Sequence, residues 1–442
     1  MKICVIGAGY VGLVAALSFA KYKNDVICVD KDVNKVNQLN KGIPTIYEEG
    51  LEPLLKKCLE KKYILFTNNI RTAISLSDVI MITVGTPTNP DWSVDISQVI
   101  DAANEISISI DKYKVIIIKS TVPVGTHETV KNIFINRGVN ENNFDVVSNP
   151  EFLREGRALN DFLNGDRMVI GSNSKKAIRI INKIYGPFKT KIIYTNPPTA
   201  ELIKYASNAL LATKISFINE MANLCSKVDA NIETLSYGLG LDKRISKEFL
   251  NAGIGYGGSC FPKDTKALVN IGEKYGCEFN IVRSTIKVNE NQRLKPVEIL
   301  LDHYNKIEGK TIAILGLTFK PGTDDIRDAP SLYIIDELLS MGAKIKCYDP
   351  TVSKEMETLF PNITYCNSII ETVKDSHCAI ICTELDEFYK MDLKIIAENM
   401  KKPVLIDGRN IIRMKKAKKS GFSHYYSIGN GSFEINDSTI HK

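Results

Sequence analysis

Cys260 is the one cysteine set between a glycine-rich approach and a charged exit, in Gly255-Tyr-Gly-Gly-Ser-Cys-Phe-Pro-Lys-Asp264. Three glycines in four residues admit positive φ and the close approach of a ligand. Pro262 stiffens the chain just past the sulfur. A thiol becomes a good nucleophile on ionising, and a neighbouring cation such as Lys263 favours that. Asp264 has the chemistry of a base for a water, or else caps a helix starting there. Lys204 and Asn208, four apart in a helical pattern, share a face on which they can hold an oxyanion or a water. The plain alternative is a solvated Lys-Asn stripe. In Asn149-Pro-Glu-Phe-Leu-Arg-Glu-Gly156, Glu151 follows a strand-ending Asn-Pro directly, a place that packing does not explain. Glu155 would share its face if a helix starts there.

The elements that position these groups begin with an apolar strand, Lys2 to Ile6. It runs into Gly7-Ala8-Gly9-Tyr10-Val11-Gly12 and a helix over Leu13 to Ala20. A second strand, Asp25 to Val29, ends at Asp30. In this context Gly7 makes the tight turn, Gly9 admits a pyrophosphate, and Gly12 lets helix pack on strand. The pyrophosphate would rest on the helix N-terminus. Asp30 falls ~20 residues on, where a carboxylate takes the ribose hydroxyls and repels a 2′-phosphate. NAD is therefore expected rather than NADP. Lys35 is either a cation near the adenosine end or a solvated helix lysine. Further strands, Asp78 to Val84, Lys114 to Lys119 and Phe144 to Ser148, carry Thr86, Thr121 and Glu151 beyond their carboxyl ends, where groups gather in open α/β sheets. Thr86 reads slightly better as a helix cap.

After Asn196-Pro-Pro198 the pattern becomes helical. Thr199 is the expected N-cap, and Leu202, Ala206, Leu210, Phe217, Met221 and Leu224 recur at helical spacing. A helix to Cys225 would run ~40 Å and make a spine of the kind that carries a dimer interface. Helices broken at Gly238 and Gly240 lead through Arg244 to the cysteine loop, and Lys266 to Tyr275 and Ile286 to Tyr304 follow. Then Lys310 to Leu315, Gly316, a helix over Ser331 to Met341, and Lys344 to Tyr348 ending at Asp349 echo residues 2 to 30. This is a degenerate repeat of the Rossmann half. Its loop keeps Gly316 and Gly322 and gains Lys320 and Arg327, which suits a mononucleotide held by cations. His377 to Thr383 and Pro403 to Asp407 add strands, and Arg409 follows the last. From about Gly429 the tail is polar and expected to be loose.

The expected fold class is α/β: two Rossmann-like doubly wound domains joined by a central all-helical segment with one long spine helix. The expected boundaries are 1–196 for the NAD-binding domain, 197–305 for the helical domain with the cysteine loop, and 306–442 for the second Rossmann-like domain. A chain of 442 residues with 44% hydrophobic and 24% charged residues fits several soluble domains. The net charge of +6 is modest. The basic run Arg413 to Lys419 reads as a solvated helix face, so no nucleic-acid partner is expected. Ten cysteines without a Cys-x-x-Cys pair point to reduced thiols in a cytoplasmic protein. His127, His303, His377, His424 and His441 have no metal-ligand spacing, and no metal is expected. No apolar run approaches the ~18 residues of a membrane span. Met1 leads straight into a strand, so no signal peptide is expected.

Taken together, the glycine fingerprint, Ser120-Thr-Val-Pro-Val-Gly-Thr126, the Asn149 to Gly156 run, Lys204-x-x-x-Asn208, Gly257-Gly-Ser-Cys-Phe-Pro-Lys-Asp264, Phe319-Lys-Pro-Gly-Thr-Asp-Asp-Ile-Arg327 and Asp407-Gly-Arg409 resemble the UDP-glucose/GDP-mannose dehydrogenase family over about residues 1 to 425. The resemblance implies an NAD-dependent four-electron oxidation of a nucleotide-sugar C6 alcohol to a carboxylate. By matching position, Cys260 would form a thiohemiacetal and then a thioester, which Asp264 and a water would hydrolyse. Lys204 and Asn208 would stabilise the oxyanion, and Thr121 with Glu151 would handle the first proton. The implied cofactor contacts are Gly7, Gly9, Val11, Gly12, Asp30, Lys35, Thr86, Thr121, Glu155, Lys263 and Arg327. The implied substrate contacts are Glu151, Phe152, Leu153, Lys204, Asn208, Arg244, Phe249, Asn251, Gly253, Tyr256, Gly257, Cys260, Phe319, Lys320 and Arg409. A homodimer through the central helix is expected. One departure stands at Asn89-Pro-Asp-Trp-Ser93, where the family usually has an Asp-Gly turn and Trp92 replaces the glycine, which puts the local conformation in question.

UDP-glucose is the expected substrate. GDP-mannose and a UDP-N-acetylhexosamine are the alternatives, and the Glu-Phe-Leu-Arg-Glu-Gly run argues against the N-acetyl branch. A non-catalytic nucleotide-binding regulator on the same fold is the rival from another class. The presence of Cys260, Lys204 and Asp264 argues against it.

Overall fold

The structure is a computed structural model that describes residues 1–351 and 354–434. The chain divides into two compact units. The first comprises residues 1–207 and 267–277, the second 208–266 and 278–442.

The first unit is built on eight strands: β1 (Lys2–Ile6), β2 (Asp25–Val29), β3 (Ile64–Thr67), β4 (Val79–Ile82), β5 (Lys114–Ile118), β6 (Phe144–Ser148), β7 (Arg167–Gly171) and β8 (Lys191–Thr195). They lie in the order β3-β2-β1-β4-β5-β6-β7-β8, and only the β6–β7 pair is antiparallel. β4 and β5 are buried along their whole length, as parallel strands covered on both faces must be. Side chains of β1 alternate between two cores: Ile3 and Val5 pack with Phe19 and Tyr185, Cys4 and Ile6 with Phe134. The order reverses between β1 and β4, the position where open α/β sheets bind ligands.

The second unit repeats the plan with β9 (Thr311–Leu315), β10 (Lys344–Tyr348), β11 (Thr364–Tyr365), β12 (Cys378–Ile381), β13 (Val404–Asp407), β14 (His424–Ser427) and β15 (Ser432–Glu434). Their order is β11-β10-β9-β12-β13-β14-β15, parallel except for β15. β9 and β10 therefore stand to this sheet as β1 and β2 stand to the first, which bears out the echo read in the sequence. Asp349 ends β10 as Asp30 ends β2. In each case the carboxylate accepts a glycine-loop amide: Ala8 N at 2.9 Å for Asp30, Leu317 N at 2.8 Å for Asp349.

The long helix runs over Pro197–Val228 and contributes to both units. Thr199 is not its cap. Asn196 Oδ1 accepts the Thr199 amide at 2.9 Å, and the two prolines fill the first turn, where a missing N–H loses no bond. Gly238 and Gly240 break nothing. Both lie inside the helix Ile232–Leu241, and a Cβ on Gly240 would stand 3.0 Å from Lys247 Cα, so glycine there permits close packing. The stretch read as one helix from Ile286 is two, Asn280–Gln292 and Lys295–Tyr304. Pro296 has no N–H to return to the preceding turn, so the first helix stops before it. Residues 429–434 are not loose: β15 pairs with β14, and Ile232 N donates to Gly429 O at 3.0 Å. The tail beyond 434 lies outside the described residues. Trp92 takes φ +67°, the left-handed conformation that glycine favours, and its amide reaches Asn89 O at 2.9 Å. The turn thus keeps a glycine-like backbone without the glycine.

Candidate active site

The glycine fingerprint of the first unit has the geometry its spacing predicts. Gly7 sits at φ +102°, and a Cβ on it would meet Thr83 O at 2.8 Å. A Cβ on Gly12 would stand 1.8 Å from Gly7 O, so helix Tyr10–Lys21 can pack this closely only with glycine there. Gly9 differs: nothing lies within 4 Å of its would-be Cβ. That open space fronts the helix N-terminus, whose unpaired N–H groups and dipole suit a pyrophosphate. Val11 follows in the first helical turn. Asp30 accepts from Ala8 N at 2.9 Å and Asp32 N at 3.0 Å, and Lys35 Nζ lies 3.4 Å away. Burial opposes its ionisation, but the two amides and the Lys35 ammonium outweigh burial and hold the carboxyl below its ordinary range. An ionised Asp30 beside an open glycine cradle fits a dinucleotide with free ribose hydroxyls.

Beyond the ends of β4 and β5, Thr86 donates to Thr121 O at 2.8 Å. Thr86 is thus a tie between two strand-end loops and not the helix cap favoured above; the next helix starts only at Ser97. Glu151 lies directly past β6 and is buried, with Oε1 2.7 Å from Lys204 Nζ and Oε2 accepting Leu153 N at 2.5 Å. Burial again opposes ionisation. Lys204, then the Leu153 amide and Lys119, overcome it and hold the Glu151 carboxyl below its ordinary range. Phe152 flanks the pair, with Lys204 Nζ 5.7 Å and the Arg167 guanidinium 4.0 Å from its ring. No helix joins Glu151 to Glu155, since regular structure resumes only at Ala158, so their spacing of four does not bring them to one face.

In the second unit, Cys260 immediately precedes helix Phe261–Lys274, half-buried, with Ser259 Oγ 3.5 Å from its sulfur. An anion developing at Sγ therefore meets the positive end of a helix. Asp264 is in the first turn and fully buried. Its Oδ2 accepts from Asn208 Nδ2 at 2.6 Å and its Oδ1 from Lys263 Nζ at 2.7 Å. Asp264 is thus enclosed and held by one amide and one lysine. Lys263 is committed to this carboxylate.

The approach loop is clamped at each glycine. Gly253 N donates to Asn219 Oδ1 at 2.9 Å and Gln292 Nε2 to Gly253 O at 2.7 Å. Tyr256 exchanges both backbone bonds with Asn289, at 2.8 and 3.0 Å. A Cβ on Gly257 would lie 2.2 Å from Asp328 O, and one on Gly258 2.7 Å from the Phe319 ring. Phe249 takes φ +61° and packs near Phe261, Asn251 is exposed, and Lys320 stacks over Phe319 at 5.3 Å. Arg409 donates to Gly255 O at 3.1 Å and Cys382 O at 2.8 Å, so part of its guanidinium binds backbone. Arg327 forks onto Asp325 at 2.7 and 2.8 Å. Arg244 stands apart, 89% exposed and paired with Asp242. Asn219, Asn289 and Gln292, the loop's buried amide supports, escaped the sequence reading. A signal existed in Asn289 and Gln292, polar residues three apart within a helical pattern. Lys119, read only as a strand end, is buried with its charge felt at Glu151.

Three family models match successive stretches of the chain. The NAD binding domain of the UDP-glucose/GDP-mannose dehydrogenase family matches residues 1–189, its central domain 198–291, and its UDP binding domain 313–414. The chain belongs to this family. The UDP-glucose 6-dehydrogenase TuaD of Bacillus subtilis is 45% identical over 429 residues, 97% of this chain and 93% of the relative. A solved UDP-glucose dehydrogenase from Pyrobaculum islandicum is 34% identical, covers 97% of both chains and superposes with a TM-score of 0.91. A UDP-D-ManNAc dehydrogenase from Pyrococcus horikoshii is 29% identical with a TM-score of 0.88, covering 97% of this chain and 99% of that one. Membership in the UDP-glucose/GDP-mannose dehydrogenase family gives residues 1–189 an NAD ligand and residues 313–414 a UDP-sugar ligand. Among the described residues no cluster of three or more His, Cys, Asp or Glu side chains is arranged to hold a metal, and no helix is long and apolar enough to cross a membrane.

Proposed function

We propose that the chain catalyses the UDP-glucose 6-dehydrogenase reaction, the four-electron oxidation of UDP-glucose to UDP-glucuronate. Cys260 at the head of the helix carrying Asp264, which is itself held by Asn208 and Lys263, is the observation that carries this reading. The substrate assignment is supported by the near full-length similarity to UDP-glucose 6-dehydrogenases. NAD, when bound, accepts a hydride from C6. Gly7, Gly9, Val11, Gly12, Asp30, Lys35, Thr86 and Thr121 would hold it from the first unit, and Glu155, Lys263 and Arg327 complete the proposed cofactor set.

Glu151, with Thr121 and a water, takes the C6 hydroxyl proton as the first hydride leaves, giving the aldehyde. Cys260 Sγ then bonds to C6, and the carbonyl oxygen gains the negative charge that Lys204 and Asn208, one turn apart on their helix, stabilise. Loss of the second hydride turns this thiohemiacetal into a thioester. Asp264 takes one proton from water as the water oxygen bonds to C6 and the C–S bond breaks; the proton left on the new carboxyl passes to solvent, leaving carboxylate and thiolate. The nucleotide-sugar contacts are assigned to Phe152, Leu153, Arg244, Phe249, Asn251, Gly253, Tyr256, Gly257, Phe319, Lys320 and Arg409. Cys260→Ser tests the covalent step: mass spectrometry should find a sugar-acyl ester trapped on the variant, and unimpaired turnover would refute a role for the sulfur.

A homodimer is part of the proposal, as are domain limits near residues 196 and 305 and a reducing, cytoplasmic setting suited to ten free thiols. Leu202, Leu210, Phe217 and Leu224 are 42, 64, 48 and 52% exposed, and they recur every seven or eight residues along the long helix. Such a stripe suits a second copy of the same helix. Sedimentation as a monomer at micromolar concentration would refute it.

A further inference from the structure

Glu151 and Lys204 are not the only ionisable groups enclosed at the end of β6. Lys119, just past β5, is 3% exposed. Its amide donates to Ile82 O at 2.9 Å, which fixes the residue at the strand end. Its Nζ donates one long hydrogen bond, 3.4 Å to Asn149 Oδ1, an oxygen that already accepts from Tyr185 OH at 2.5 Å. The Phe162 ring lies 5.3 Å from the ammonium. A lysine buried for structure alone looks different here. Lys114 reaches Ser77 O at 2.8 Å, Ser75 O at 3.2 Å and Asp111 at 3.2 Å. With three donors to satisfy, Lys119 is poorly provided, and its charge acts instead on the Glu151–Lys204 pair. Burial pushes its ammonium down to about 8, Glu151 opposing and Lys204 adding to the fall. With Lys119 and Lys204 charged and Glu151 ionised, the three buried groups sum to one positive charge.

We propose that Lys119 is a positioning residue for the oxidation: through Asn149 it fixes the turn that presents Glu151, and its charge supplies the surplus positive potential that an oxyanion beside Lys204 draws on. The groups that face it are Glu151, Lys204, Asn149 and Tyr185. This inference rests on the proposed roles of Glu151 and Lys204.

The test compares Lys119→Met with the full-length parent in NAD-dependent turnover of UDP-glucose from pH 6 to pH 10. The kcat ratio of parent to variant should be roughly tenfold at pH 7, with KM for both substrates within about twofold. The ratio should fall toward one as pH rises past 8, because the parent then loses the charge that the variant never has. Titrations that do not couple to Lys119 cancel in the ratio. A ratio near one at pH 7, or one that does not change with pH, overturns the proposal. Lys119→Gln, also neutral, should repeat the pattern if methionine disturbs folding. A second readout needs no turnover. In isotope-labelled protein the Lys119 titration should move up in Lys204→Met and down in Glu151→Gln. If the parent does not oxidise UDP-glucose but the titration moves so, the activity assignment fails and the charge coupling stands. If the titration does not move, the coupling itself is wrong.

Discussion

Replacing Lys119 by methionine should make the protein more stable, by an amount that depends on pH. Lys119 titrates at about 8 in the folded chain against an ordinary value of 10.5. At 1.4 kcal/mol for each pH unit between them, holding the proton on the buried amine costs the fold about 3 kcal/mol. The sign follows from which state releases its proton first. Below pH 8 folded and unfolded chains both carry the charge, and the fold bears the whole cost. Between 8 and 10.5 the folded chain is neutral while the unfolded chain is still charged, so the cost fades. Methionine has a similar length and leaves no large void. Asn149 Oδ1 keeps its bond to Tyr185, so no polar group is orphaned. Lys119→Met should therefore gain about 3 kcal/mol at pH 6 to 7 and lose that gain progressively above pH 8. Urea unfolding followed by the fluorescence of Trp92, the single tryptophan and a member of the same unit, reads this directly. No gain at pH 7, or a gain that persists unchanged to pH 10, would refute the reasoning. A variant both more stable and slower is what a charge retained for activity predicts.

Gly9→Ala and Gly12→Ala should part company. The first meets no atom within 4 Å and should fold normally while NAD affinity, measured by calorimetry, falls about tenfold as its methyl enters the pyrophosphate space. The second sets a Cβ 1.8 Å from Gly7 O and should lose at least about 2 kcal/mol in urea. Gly257→Ala forces its Cβ to within 2.2 Å of Asp328 O, so the cysteine loop must shift; kcat should drop roughly a hundredfold with helix content, read by circular dichroism, unchanged.

Much of the first unit is legible in the sequence because its signals are local. Strand, Gly7-x-Gly9-x-x-Gly12, helix and Asp30 lie within thirty residues, and backbone sterics alone dictate their arrangement. The second unit shows the same order with weaker glycines, and the paired Asp30 and Asp349 bonds explain why an acid recurs at the same place. Three features were misread for reasons that are not local. Gly238 and Gly240 look like breaks until the close contact with Lys247 is known. Thr199 looks like a cap until Asn196 is found to take its amide. Glu151 and Glu155 match helical spacing in a stretch with no helix. The supports of the cysteine loop are tertiary by nature. Asn219, Asn289 and Gln292 lie tens of residues from it, and only a buried loop backbone in need of partners explains them. Lys119 gave no pattern at all, since a lysine at a strand end is ordinary until it is seen to be enclosed.

The central claim, two oxidations at one carbon with a covalent thioester between them, is tested most directly by counting NADH formed per UDP-glucose consumed, with GDP-mannose and a UDP-N-acetylhexosamine run in parallel. The account predicts two NADH per UDP-glucose, UDP-glucuronate as the product, and no turnover of the other sugars. One NADH per sugar, with free aldehyde accumulating, would contradict it.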